Sequence, residues 1–142
     1  MMDLNKIIRI ASNEEDFFRD FYRAAAERAS MASAKTLLLR LSSEEKAHKE
    51  RLQSFDFRSV AQKDGKSLEL VKSLMLTPVD EFTKVREILE FALKSESLAR
   101  RKYSSLASSV DDENAKWLFN LLSVEEKRHE KLLSEELKKF KV

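Results

Sequence analysis

An ungapped internal repeat limits how this chain can fold more than any other feature: with an offset of 81 positions, residues 11–52 align with residues 92–133. Fifteen of the 42 aligned positions are identical, and they include the chain's two histidines, His48 on His129, and its two tyrosines, Tyr22 on Tyr103. Shared helical composition explains some matches, but not the coincidence of these rare residues. Each histidine follows a glutamate by three positions, Glu45 and Glu126, while Glu15 falls on Glu96, Arg19 on Arg100, Ala11 on Ala92 and Ala26 on Ala107. A chain built this way is an internal duplication, and its two copies imply a pseudo-twofold axis.

The local chemistry of the repeat is helical. Gly65 and Pro78 are the only residues of their kinds, and Ala, Leu, Glu, Lys, Arg and Ser dominate, so long helices are favoured over strands. Ile8, Ala11, Glu15, Phe18, Tyr22, Ala25 and Ala29 recur at spacings of three and four, which predicts an amphipathic helix over residues 4–30. Ala34, Leu38, Leu41, Glu45, His48, Leu52 and Phe55 predict a second over 34–55. A polar link follows, with a short helix expected over Ser67 to Leu76 before Thr77-Pro78. The seam resumes with Phe82, Val85, Leu89, Ala92, Glu96, Ala99, Tyr103, Leu106 and Val110, N-capped near Thr77 or Asp80. The last helix starts at Asp111-Asp112-Glu113, where its dipole favours negative charge, and runs to about residue 139 through Ala115, Phe119, Leu122, Glu126, His129 and Leu133. The expectation is one all-α domain, residues 1–142: a four-helix bundle of two antiparallel hairpins joined by a long crossover.

Composition narrows the function classes. Charged residues make up 37% of the chain at a net charge of +2, so both signs are interspersed and nucleic acid is not an expected partner. Nowhere do about 18 apolar residues run together, and the N-terminus carries no signal-like apolar stretch, so a cytoplasmic protein without a membrane partner is expected. Cysteine is absent, so a metal would have to be held by Glu, Asp and His.

The seams are apolar except at their centres, where Glu15, Glu45 and His48 in one half and Glu96, Glu126 and His129 in the other take inward positions. Burying uncompensated carboxylates costs several kcal/mol each, and four in one core also repel one another. Two divalent cations balance four carboxylates and leave two neutral imidazoles to complete the shell. In each Glu-x-x-His pair the i, i+3 spacing puts both side chains on one helical face, so the glutamate can bridge two ions while the histidine binds one. Oxygen and nitrogen ligands without sulfur suit two iron ions, with manganese or zinc as alternatives.

Other residues carry weaker expectations. Tyr22 and Tyr103, two turns after Glu15 and Glu96, are candidates to hydrogen-bond the ligand carboxylates. Glu44 and Glu125 point about 100° away from the ligand face and read as solvated or paired within their hairpins, not as ligands. Arg19 and Arg100 are expected to pair with surface carboxylates. Trp117 and the cluster of Phe17, Phe18 and Phe21 read as core or dimer surface, and the position of Phe17 and Phe21 off the main seam motivates a homodimer.

These residues resemble those of the ferritin-like di-iron carboxylate proteins, and among them the rubrerythrin family. The pattern Ala-x3-Glu-x6-Tyr-x3-Ala carries the resemblance, as Ala11, Glu15, Tyr22 and Ala26 and again as Ala92, Glu96, Tyr103 and Ala107. One Glu from each of two helices with Glu-x-x-His from the other two is the ligand set of that superfamily. The resemblance implies an oxidoreductase of oxidative stress that reduces peroxide or oxygen at a di-iron centre. Ferroxidase or iron-handling activity, substrate hydroxylation, or a metal-stabilised bundle without turnover are the alternatives. Two departures qualify it: without cysteine there is no rubredoxin-type centre, so electrons must come from a separate donor protein, and Ala99 stands where the family usually has an extra glutamate.

Overall fold

A computed structural model describes residues 3–62 and 76–140. The four seams form α1 (Leu4–Arg28), α2 (Ala32–Ser54), α3 (Val85–Ser108) and α4 (Glu113–Leu137), with single 3₁₀ turns at Val79–Glu81 and Lys138–Phe140. Two aspartates cap α1 and α4. Asp3 accepts the Lys6 N–H at 2.8 Å and Asp112 accepts the Ala115 N–H at 2.8 Å, each satisfying a donor that has no partner inside its helix.

The start of α3 differs from expectation. Pro78 is extended (φ −61°, ψ 150°), Val79–Glu81 makes one 3₁₀ turn, and Phe82 is extended again, so neither Thr77 nor Asp80 caps the helix. The Glu87 carboxylate does so from inside the first turn, accepting the Lys84 N–H and the Thr83 hydroxyl at 3.0 Å each. The short helix expected over 67–76 lies, apart from Leu76, outside the described residues.

Contacts fix the helix directions. Within the hairpins α1 packs closely on α2 and α3 on α4. Phe21, late in α1, touches Phe82 and Phe91, early in α3 or before it, whereas Glu14, earlier in α1, pairs with Lys102, late in α3. α1 and α3 are therefore antiparallel. Likewise Ser33 at the start of α2 donates to Glu136 at the end of α4 at 2.8 Å, so these two are antiparallel as well. It follows that α2 and α3 run the same way, and the chain between them must return along the whole bundle, roughly 35 Å at 1.5 Å per residue. The antiparallel pairs and the parallel run of α2 and α3 are the topology of two hairpins joined by a long connection, as the long polar link implied.

The duplication survives in detail. Ser42 donates to the Arg19 carbonyl at 2.7 Å, and its counterpart Ser123 donates to the Arg100 carbonyl at 3.1 Å, so each hairpin is tied at the same point. Arg19 pairs with Asp16 and Asp20, and Arg100 with Glu130, as expected of surface ion pairs.

The seam residues form the core, and α1 and α3 bury a second stripe beyond the seams. Ile7, Glu14 and Phe21 on α1 and their counterparts 81 positions on, Ile88, Ser95 and Lys102 on α3, are all buried. Phe21 is thus not a subunit surface: it is 4% exposed and joins a ring cluster with Phe17, Phe18, Phe82 and Phe91. Trp117, by contrast, is 65% exposed. No helix among the described residues is long and apolar enough to cross a membrane.

Candidate metal centre

At the middle of the bundle, Glu15, Glu45, His48, Glu96, Glu126 and His129 converge, each no more than 3% exposed. They form two overlapping groups: Glu15, Glu45, His48 and Glu126, and Glu45, Glu96, Glu126 and His129. Within each group the potential ligand atoms lie within 4.8 Å of one another, close enough to hold a metal ion. Glu45 and Glu126 are common to both groups, while Glu15 with His48 and Glu96 with His129 are each confined to one. The imidazole rings lie nearly parallel, with centroids 5.7 Å apart.

Both rings turn Nδ1 inward. His48 Nδ1 is 2.8 Å from Glu15, 3.1 Å from Glu126 and 3.4 Å from Glu45, and His129 Nδ1 is 3.1 Å from Glu96, 3.3 Å from Glu126 and 3.4 Å from Glu45. Yet Glu15 Oε2, Glu45 Oε1, His48 Nδ1 and both Glu126 oxygens are buried without the geometry of a hydrogen bond to any described residue. Such orphaned atoms each cost on the order of 1–3 kcal/mol or more. Their inward convergence fits a pair of divalent cations, which would satisfy them and neutralise the four carboxylates together.

As protein groups alone, the cluster holds its charge down with protons. Burial and the charge of Glu126 push Glu96 up to about 8 and raise Glu15; burial, then Glu126, Glu15 and Glu96, push Glu45 well above the carboxylate range. Burial opposes the His129 cation, but the neighbouring carboxylates of Glu126, Glu44 and Glu96 push its pKa up to about 12. His48 is raised in the same way by Glu15, Glu125 and Glu126 against burial. For Glu126 burial also opposes charge, yet the imidazoles of His129 and His48 beside it hold it well below the usual range. A metal ion binding here must displace protons.

The glutamates set aside as solvated or hairpin-paired prove to be part of the centre. Glu125 accepts from His48 Nε2 at 2.6 Å and Glu44 from His129 Nε2 at 2.8 Å, each across from one hairpin to the other. Hydrogen-bonding to these carboxylates holds the proton on Nε2 and aims Nδ1 inward, so that a cation displacing the Nδ1 proton meets a correctly placed and more basic ligand. The side chain of His129 holds Glu44 well below its ordinary pKa, and that of His48 lowers Glu125. Glu44→Gln and Glu125→Gln are each expected to weaken metal binding roughly 10–100-fold while leaving the helical fold intact, as competition with a chromophoric chelator would measure.

The tyrosines are not equivalent. Tyr22 donates to Glu96 Oε1 at 2.7 Å, across the bundle, whereas the buried Tyr103 hydroxyl has no hydrogen-bond partner among the described residues. Beside Tyr103 lies a buried ion pair between Lys102 and Glu14, with the Lys102 ammonium 5.5 Å from the ring centroid. The repeat partners of this pair are Phe21 and Ser95, so it exists on one side of the centre only. Lys102→Met removes the ammonium from a buried carboxylate and is expected to cost about 3–5 kcal/mol in chemical denaturation.

No curated protein and no solved structure matches this chain significantly. The family model described as Rubrerythrin matches residues 87–142, the stretch that contains Glu96, Tyr103, Glu126 and His129. That stretch is similar to the rubrerythrin family, and the all-α bundle and the buried carboxylate–imidazole cluster are consistent with that resemblance.

Proposed function

We propose that the chain binds two iron ions and reduces peroxide or oxygen at them, with electrons returned by a separate donor protein. The sharing of Glu45 and Glu126 between two four-residue groups carries this reading, because it is the arrangement in which two ions sit side by side. Glu15 and His48 Nδ1 would hold one ion, Glu96 and His129 Nδ1 the other, and Glu45 and Glu126 would bridge them. The oxygen-rich, sulfur-free donor set favours iron or manganese over a structural zinc.

Bound in the ferrous state, the two ions supply the electron pair that reduction of one peroxide to two waters requires. The protein's part is to bind, orient and hold protons. Glu44 and Glu125 aim the imidazoles, and Tyr22 holds one oxygen of Glu96 in place. Burial raises the Tyr103 pKa well above that of an ordinary phenol, so its hydroxyl keeps its proton beside the carboxylates. Glu15 and Glu126 face that ring closely enough to raise its pKa further.

Rapid mixing of the anaerobically iron-loaded protein with peroxide or with oxygen tests this reading. Oxidation faster with peroxide supports it. Oxygen-driven oxidation followed by release of ferric iron would instead indicate a ferroxidase, and stable metal without oxidation by either reagent a structural role.

A further inference from the structure

The duplication allows one face of the protein to be compared with its own copy. Between α3 and α4 runs an open groove of about 820 Å³ lined by Arg100, Val124, Lys127, Arg128, Glu130 and Lys131, four basic side chains against one acidic. Their repeat partners on α1 and α2 are Arg19, Ser43, Lys46, Ala47, Lys49 and Glu50. There Asp16 binds both Arg19 and Lys49, and the α3 residue at its position is Ser97. The first hairpin's face is thus close to neutral, whereas the second's has become basic. Lys127 and Lys131 are exposed and form no ion pair among the described residues, and Val124 beside them is 65% exposed.

This groove also connects to the centre through a chain of hydrogen bonds. Arg128, at its edge and 41% exposed by side chain, donates to Glu44 at 2.6 Å, and the same Glu44 oxygen accepts from His129 Nε2 at 2.8 Å. Ala47 stands at the corresponding place in the other half, so no arginine bridges from there to Glu125. One histidine of the centre therefore has a three-residue connection to an exposed cationic surface, and it is the histidine of the basic hairpin.

We propose that the α3–α4 groove docks the acidic face of a small one-electron carrier protein, and that electrons pass from it to the centre by way of Arg128, Glu44 and His129. The inference rests on the redox reading above. Two such transfers, each oxidising one carrier molecule, restore the two electrons that one peroxide consumes with two protons in becoming two waters. Basic residues around an exposed apolar spot suit such a partner: charge steers a brief encounter and the apolar contact seats it, without the large interface of a permanent complex.

The test uses the full chain, wild type and Lys127→Glu/Lys131→Glu, with a reduced plant-type ferredoxin as the acidic carrier. Neither lysine touches the centre, so metal content and oxidation by peroxide should be unchanged. The second-order rate of re-reduction by ferredoxin should fall about tenfold or more in the variant, and the wild-type rate should fall as salt rises. Re-reduction by dithionite serves as the control and should differ far less between the two proteins. Chemical-shift mapping of oxidised ferredoxin on the metal-free chain should perturb α3 and α4 and spare the α1–α2 face. Equal rates in the two proteins, or perturbation of both faces alike, would overturn the docking site while leaving the redox centre standing. Mapped binding to α3–α4 by a chain that takes up no iron would instead sink the redox reading and leave an acidic-protein surface. Tighter binding of a DNA or RNA duplex than of ferredoxin to the groove would overturn the assignment of its occupant.

Discussion

Glu126→Ala is expected to abolish binding of both metal ions, whereas Glu15→Ala loses only one. Glu126 belongs to both four-residue groups and Glu15 to one. Losing a shared carboxylate removes an oxygen from each ion and one of the four negative charges that make two divalent cations tolerable in a buried site. The effect should exceed by far the roughly 10–100-fold cost of losing an outer partner such as Glu44. The protein itself should survive the change. Its charge steadies both imidazoles but also raises Glu15, Glu45 and Glu96, so its removal exchanges a lost attraction for relieved repulsion among the other three carboxyls. Metal analysis of the two variants, with circular dichroism to confirm the helices, separates the outcomes; one ion retained by Glu126→Ala would show that the carboxylate is not shared.

The second large effect concerns pH. Glu96 is raised from 4.5 to about 8, so what its bound proton contributes to stability is complete below about pH 4.5 and is lost as pH climbs through 8. His129, raised from 6.5 to about 12, contributes fully below 6.5 and loses that contribution as pH rises toward 12. Glu44 and Glu126 are lowered and act in the opposite sense, contributing above about 4.5 and losing it as pH falls. The metal-free bundle should therefore be most stable near pH 4.5 and lose stability as pH rises, first through the Glu96 range up to about 8 and then through the His129 range toward 12. Metal affinity moves the other way, because every proton that leaves the cluster is one the cation need not displace. At a free metal concentration 100 times Kd the stabilisation is about 2.7 kcal/mol, or roughly 5–10 °C in Tm for a domain of this size. Thermal scans with and without metal should show a gap that widens with pH, and a gap that narrows would contradict proton displacement.

Which parts of this centre can be read from sequence follows from how helices present side chains. The six central residues are legible because they are the ionisable members of seams that are otherwise mainly apolar, and only an inward position explains that pattern. Glu44 and Glu125 are not legible by that rule. An angle of about 100° from the seam means solvent on an isolated hairpin, but in the bundle it points across to the histidine of the opposite hairpin. Their signal was present all the same: both belong to the identical positions of the repeat, and a surface glutamate has little reason to be kept in register with a buried one. The Lys102–Glu14 pair gives no such signal, since its partners in the repeat are Phe21 and Ser95 and a lysine off the seam reads as exposed. The start of α3 was misplaced because Thr77 and Asp80 are good capping residues, whereas the extended backbone at Pro78 and Phe82 confines the intervening residues to a single 3₁₀ turn.

The most direct measurement is an anaerobic titration of the wild-type chain with ferrous iron, followed to its end point by metal analysis and optical spectroscopy after oxidation. Two ions per chain, with the absorption of an oxo-bridged ferric pair after oxidation, are expected of a single dinuclear centre. An end point of one ion or none, or two ions retained in a chain lacking both His48 and His129, would contradict it.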